Sequence, residues 1–79
     1  MPTTETPAQV LDCKGLSCPL PIVKTAQAIR LLAAGDLLEV LATDPGSVKD
    51  FAAWSKATGN LLVATSQEGA VFHFVLKKG

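Results

Sequence analysis

Seven basic and seven acidic residues cancel in a chain of 79, so no basic field is present to attract nucleic acid, and the 5% of aromatic residues leaves little for base stacking. With 48% hydrophobic and 18% charged residues the composition is that of a folded domain rather than a disordered one, and the length allows only one domain. No apolar run reaches the roughly 20 residues of a membrane span.

Residues 1–9 have neither the basic start nor the apolar stretch of a signal peptide, and their Pro and Thr content reads as a flexible N-terminal tail ahead of a single domain over 10–79. The expected compartment is the cytoplasm, where thiols stay reduced. Val10 to Cys13 reads as a first strand and Lys14 to Ser17 as a turn. From Leu20 to Ala34 the residues are strong helix formers. Ile22, Ala26, Ile29 and Ala33 recur on one face, Val23 and Leu32 flank it, and Gly35 supplies the stop. Asp36 to Thr43 alternates as a second strand, with Leu38, Val40 and Ala42 on one side. A second helix starts near Asp44-Pro45-Gly46-Ser47, capped by Asp44 or by Ser47 with Asp50 three residues on. Its inner face is Val48, Phe51, Ala52 and Ser55, and Gly59 ends it. Asn60 to Ser66 and Val71 to Lys77 form a hairpin around Gln67-Glu68-Gly69. The order β-α-β-α-β-β makes the first two strands parallel. It predicts an α+β, two-layer α/β sandwich with two helices packed on one face of a four-stranded mixed sheet.

The residues that point to chemistry lie between the first strand and the first helix. In Gly15-Leu16-Ser17-Cys18-Pro19-Leu20-Pro21, a cysteine is followed at once by Pro-x-Pro. Proline is tolerated in a first helical turn because its missing N–H would have had no partner there. With Cys18 as N-cap, Pro19 is N1 and Pro21 is N3, and the Leu20 N–H remains beside the sulfur. A helix end contributes roughly 0.3–2 kcal/mol to a nearby charge, and one pKa unit is about 1.4 kcal/mol. The helix therefore lowers a thiol pKa by about one unit, enough for an exchanging nucleophile but not for a strongly acidic oxidant.

Leu11-Asp12-x-x-Gly15-Leu16-x-Cys18-Pro19-x-Pro21, the Asp44-Pro45 helix start, Ala53-Trp54, Thr58-Gly59-Asn60 and the closing strand with Lys77-Lys78 resemble the TusA (SirA-like) sulfur-carrier family. The resemblance covers Leu11 to Lys78. It implies that Cys18 accepts a sulfane sulfur as a persulfide, with Pro19 and Pro21 as its structural setting. It also implies a cysteine desulfurase or rhodanese-like donor and a downstream acceptor in tRNA thiolation, molybdenum-cofactor assembly, sulfur oxidation or selenium metabolism. In that reading the chain is a carrier within a sulfurtransferase relay more than a turnover enzyme, with no cofactor, no metal, no membrane and no direct nucleic-acid partner. The single histidine, His73, lies in the last strand, and no Cys/His cluster is visible.

Two other readings remain open: a thiol–disulfide module using Cys13 and Cys18, and an adaptor domain without sulfur chemistry. Cys13 shares the inward side of its strand with Leu11, and Cys-x4-Cys spacing gives a resolving thiol little support. Lys14 and Lys24 are candidates for assisting Cys18 electrostatically. Leu20, Lys24, Gln27 and Leu31 recur on the outward face of the first helix and form a candidate partner-docking stripe. Leu37, Leu41, Leu61, Val63 and Val71 on the helix-free sheet face form a rival one. Trp54 is expected to be partial core and His73 an exposed sheet residue.

Overall fold

A computed structural model of the chain describes residues 8–17 and 19–79. Residues 1–7 of the proposed 1–9 tail and the cysteine at position 18 lie outside the described residues, and Gln9 belongs to the first strand rather than to a tail.

The elements are β1 (Gln9–Cys13), α1 (Leu20–Ile29), β2 (Leu37–Ala42), α2 (Ser47–Thr58), β3 (Leu61–Glu68) and β4 (Val71–Lys77), the order the sequence predicts. They form one four-stranded mixed sheet in the order β1-β2-β4-β3. β1 and β2 are parallel, whereas β4 runs antiparallel to both β2 and β3. The smallest dimension of the molecule, 18 Å, fits one sheet under one layer of helices.

Strand alternation divides the sheet faces as expected. Leu38, Val40 and Ala42 of β2 pair with Leu76, Phe74 and Phe72 of β4, and all but the half-buried Phe72 are in the core. Phe51 of α2 stacks on Phe74 at a centroid distance of 4.5 Å, and Trp54 meets Phe51 edge-on at 6.4 Å. These contacts lock the second helix onto the sheet, with aromatic geometry adding to area burial. Trp54 is half-buried against the core, in agreement with its expected place.

Both helices are rotated from the faces that periodicity predicts. In α1 the buried residues are Pro21, Thr25, Ala28 and Ile29. Ile22, Ala26 and Leu32 are only half-buried, whereas Val23 and Ala33 are exposed. The helix is apolar around much of its circumference, so a stripe one residue back competes closely with the predicted one. Thr25, which lies outside the predicted face, is fully buried. In α2 the buried pair is Ser47 and Phe51, whereas Val48 and Ala52 are exposed. Two small polar residues take inward places because local acceptors satisfy them. Ser47 Oγ donates to the Asp44 carbonyl at 2.5 Å. Ser55 Oγ donates to the Asn60 carbonyl at 2.6 Å and accepts from the Leu62 N–H at 3.2 Å, tying α2 to β3.

Helix ends also moved. α1 stops at Ile29 rather than Ala34, and Arg30 is its C-cap. Tertiary bonds draw the chain away from the helix axis: the Gly35 N–H donates to the Lys78 carbonyl at 2.8 Å, and the Lys78 N–H to the Asp36 carbonyl at 2.9 Å. Gly35 has φ +91°, the left-handed region open to glycine. Lys78 Nζ then donates to the carbonyls of Arg30 at 3.3 Å and Leu32 at 2.6 Å, placing a cation at the negative end of α1. At the start of α2, Asp44 Oδ1 accepts the Gly46 N–H at 3.0 Å and Gly46 is the N-cap without a side-chain cap. Neither expected cap is the observed one: Ser47 is the first helical residue, and Asp44 lies two residues before the cap. β1 begins at Gln9, and β3 runs on to Glu68 with a register shift between Leu62 and Ala64.

Two substitutions test this packing. Thr25 Oγ1 is buried and has no hydrogen-bond partner among the described residues. Thr25→Val should raise unfolding stability by about 1 kcal/mol by removing an unsatisfied hydroxyl. Lys78→Met should lower it by about 1 kcal/mol through loss of the charged cap. Urea denaturation midpoints read both.

Candidate functional site

Parallel pairing of β1 with β2 requires a crossover, so α1 must begin at the end of the sheet where β1 finishes. α2, which follows β2, begins at that same end. The segment between Cys13 and α1 is held by short-range and long-range bonds. The Lys14 N–H donates to Asp12 Oδ1 at 3.0 Å, and the Gly15 N–H donates to Thr43 Oγ1 at 3.0 Å. The Leu16 N–H donates to the Cys13 carbonyl at 3.2 Å. Gly15 has φ +83°, a conformation that a β-carbon would strain. Thr43 thus fixes the loop to the end of the neighbouring strand.

The helix start differs by one position from the expected cap. Pro19 is the N-cap, with φ −99° and ψ 16°, and Leu20 is the first helical residue. Pro21 is therefore the second helical residue rather than the third. The Leu20 N–H is not left over: it donates to the Ser17 carbonyl at 2.9 Å, on the other side of position 18. The Val23 N–H donates to the Pro19 carbonyl at 3.1 Å. This turn braces the residues flanking Cys18, which itself is outside the described residues.

Cys13 is fully buried at the end of β1, on the helix-facing side of the sheet. Burial pushes its thiol above the ordinary range, Lys24 draws it partly back, and Asp12 adds to the rise. A protonated, enclosed thiol is a poor attacking or resolving group. Lys14 Nζ lies 3.8 Å from Asp12 Oδ2 in an exposed pair.

The proposed stripe on α1 does face outward: Leu20, Lys24, Gln27 and Leu31 are all exposed. Leu31 is 83% exposed, just beyond the helix end. The structure joins three of these residues to β1, which the sequence did not reveal. Lys24, Gln27, Ala28 and Leu31 line a groove of about 250 Å³ with Gln9 and Leu11. Strand alternation places Gln9 and Leu11 on the helix side, but only the packing of α1 along β1 turns them into one wall of a groove.

On the opposite sheet face, Leu37 is buried rather than presented, Leu41 and Val71 are half-buried, and Leu61 and Val63 are exposed. His73 is not a simple exposed residue. Its Nδ1 lies 3.2 Å from Glu39 Oε2 and its Nε2 lies 3.6 Å from Glu68 Oε1, a bridge from β4 to strands on both sides. Alternation gave His73 its face, but the two carboxylates needed the strand register. No group of three or more His, Cys, Asp and Glu side chains suited to a metal occurs among the described residues. No described helix is long and apolar enough to cross a membrane.

The family described as Sulfurtransferase TusA matches residues 9–78. The chain belongs to the TusA family. It is similar to the sulfur carrier protein TusA of Allochromatium vinosum, 51% identical over 70 residues that cover 89% of this chain and 92% of the relative. The sulfur carrier protein TusA of Pseudomonas putida is 38% identical over 76 residues, covering 96% and 95% of the two chains. A crystal structure of a SirA-like protein from Desulfitobacterium hafniense superposes with a TM-score of 0.78 over 90% of this chain and 97% of that one. At 20% identity that likeness concerns the fold, and it bears out the α+β sandwich. Pro19 of the TusA-like string is the N-cap of α1 and Pro21 lies in its first turn, on the sheet end where both helices begin.

The buried thiol has a pH consequence. Since burial raises the folded-state pKa of Cys13, its contribution to stability is complete below the unfolded thiol value. That contribution is lost as pH rises through the folded value, because the unfolded chain releases a proton that the folded chain retains. Urea midpoints should therefore decline from pH 8 to pH 10, with a shallower decline in Cys13→Ala. In native protein at pH 8, peptide mapping should find Cys13 unlabelled by iodoacetamide, and labelled once the chain is unfolded.

Proposed function

We propose that this member of the TusA family is a cytoplasmic sulfur carrier that cycles Cys18 between thiolate and persulfide. The observation that carries the reading is the Cys18-Pro19-Leu20-Pro21 string at the start of α1, in a chain whose match to the family runs over 9–78. Relatives named as sulfur carriers align over most of their own length.

Loading is a thiol exchange. The Cys18 thiolate attacks the outer sulfur of a donor persulfide. As the new S–S bond forms, the donor's S–S bond breaks and the donor sulfur leaves as a thiolate with the bonding pair. Unloading reverses the roles: an acceptor thiolate attacks the outer sulfur, and Cys18 departs as thiolate. No external oxidant or reductant is consumed. Such a cycle wants a thiol of moderate pKa, since one that is too acidic is a weak nucleophile. Two features suit that demand. The α1 dipole favours the anion, while the two prolines and the bonded Leu20 amide leave few N–H groups to hold it tightly. The donor is of the cysteine desulfurase or rhodanese-like class and the acceptor is a downstream thiol protein, so the chain serves as a carrier within a sulfurtransferase relay.

The enclosed Cys13 thiol weighs against the disulfide-module alternative, which needs a second reactive sulfur. Intact-protein mass after incubation with a cysteine desulfurase and cysteine tests the proposal. Wild type and Cys13→Ala should each gain the mass of one sulfur atom, and Cys18→Ser none. No gain by wild type, or a loss of two hydrogens that requires both cysteines, overturns the carrier reading.

A further inference from the structure

We propose that the groove between α1 and β1 receives an extended, acidic segment of a partner protein. The inference rests on the carrier reading only in making that partner a member of the sulfur relay.

Three observations carry it. The first is charge. Lys24 is exposed in the groove wall and has no ion-pair partner among the described residues. Leu11, Ala28 and Leu31 line the same groove, with Gln9 and Gln27. A carboxylate flanked by apolar side chains complements that lining. The second is shape. From Lys24 to Ala28 the helical wall rises about 6 Å at ~1.5 Å per residue, which matches about two residues of extended chain. The third is the strand edge. β1 is an outermost strand of the sheet, and an outermost strand is a template for an added one. The segment would lie along this edge with every second side chain turned into the groove, toward Lys24 and Leu11.

The groove starts one turn into α1, at Lys24, so the segment would hold its parent protein against the helix that follows Cys18 in the chain. Leu31, largely exposed for a leucine, marks the far end.

Backbone amide NMR of the full chain tests the proposal. The probes are two blocked pentapeptides, Val-Glu-Leu-Glu-Val and Val-Lys-Leu-Lys-Val. The acidic peptide should shift the amides of Gln9, Leu11, Lys24 and Gln27, and the basic one should not. Lys24→Glu should weaken binding of the acidic peptide by about two- to fivefold, the range of an exposed ion pair. Lys56→Glu on α2 should leave it unchanged. Equal shifts with both peptides, shifts confined to other faces, or an unaltered Lys24→Glu titration would overturn it. The spectrum of each variant reports its folding directly. Loading of Cys18 by a low-molecular-weight persulfide, followed by mass, separates the two ideas. Its failure in wild type sinks the carrier reading whatever the peptides do, while normal loading without peptide shifts sinks only the groove.

Discussion

The parallel pairing of β1 with β2 is the constraint from which the thiol end of the molecule follows. A parallel pair cannot be closed by a tight turn, so the chain must leave β1, cross as α1, and return. The beginning of α1 is thereby placed at the finish of β1, and residues 14–19 have to bend from strand to helix there. The Gly15 backbone and its bond to Thr43 make the bend reproducible, and the paired prolines set the helix entry. β2 bears this arrangement because its inward residues Leu38, Val40 and Ala42 are completely buried, pressed by the helices from above and by β1 and β4 from the sides.

Electrostatics contributes differently at the two ends of α1. At its beginning the usual amide donors are depleted by proline and by a local turn, so the helix acts on charge through its dipole more than through hydrogen bonds. At its finish Lys78 supplies both charge and hydrogen bonds to the carbonyls. One end is firmly satisfied and the other is left open to chemistry, a division that a small domain with a thin core can sustain because the firm end is tied to β4.

Much of this was legible in the sequence. Element order, the parallel first pair, the hairpin and the bounds of β4 followed from alternation and from glycines at the turns. The start of α1 was legible to within one position because proline suits a first helical turn. Rotation of the helices was not legible. In α1 the apolar residues spread too widely for periodicity to choose a face, and the decisive inward residues were Pro21 and Thr25, whose burial depends on tertiary fit. The early end of α1 was hidden because its residues are good helix formers, overruled by strand-like bonds between Lys78 and the Gly35–Asp36 segment. The groove and the Glu39–His73–Glu68 bridge were hidden for a shared reason: each joins elements far apart in the chain, whose meeting depends on packing or register.

The sheet order β1-β2-β4-β3 sets the last strand in sequence between the second and the third. Until residues 71–77 arrive, β2 has an open side and β3 has nothing to pair with. A growing chain can assemble β1, α1 and β2, but it cannot extend that sheet stepwise, because the keystone is made last. Folding is therefore bound to long-range closure, with the entropy of the intervening loop lost before the central pairings repay it. The β2 edge, lined by the most apolar residues of the molecule, is the surface most in need of protection while synthesis proceeds.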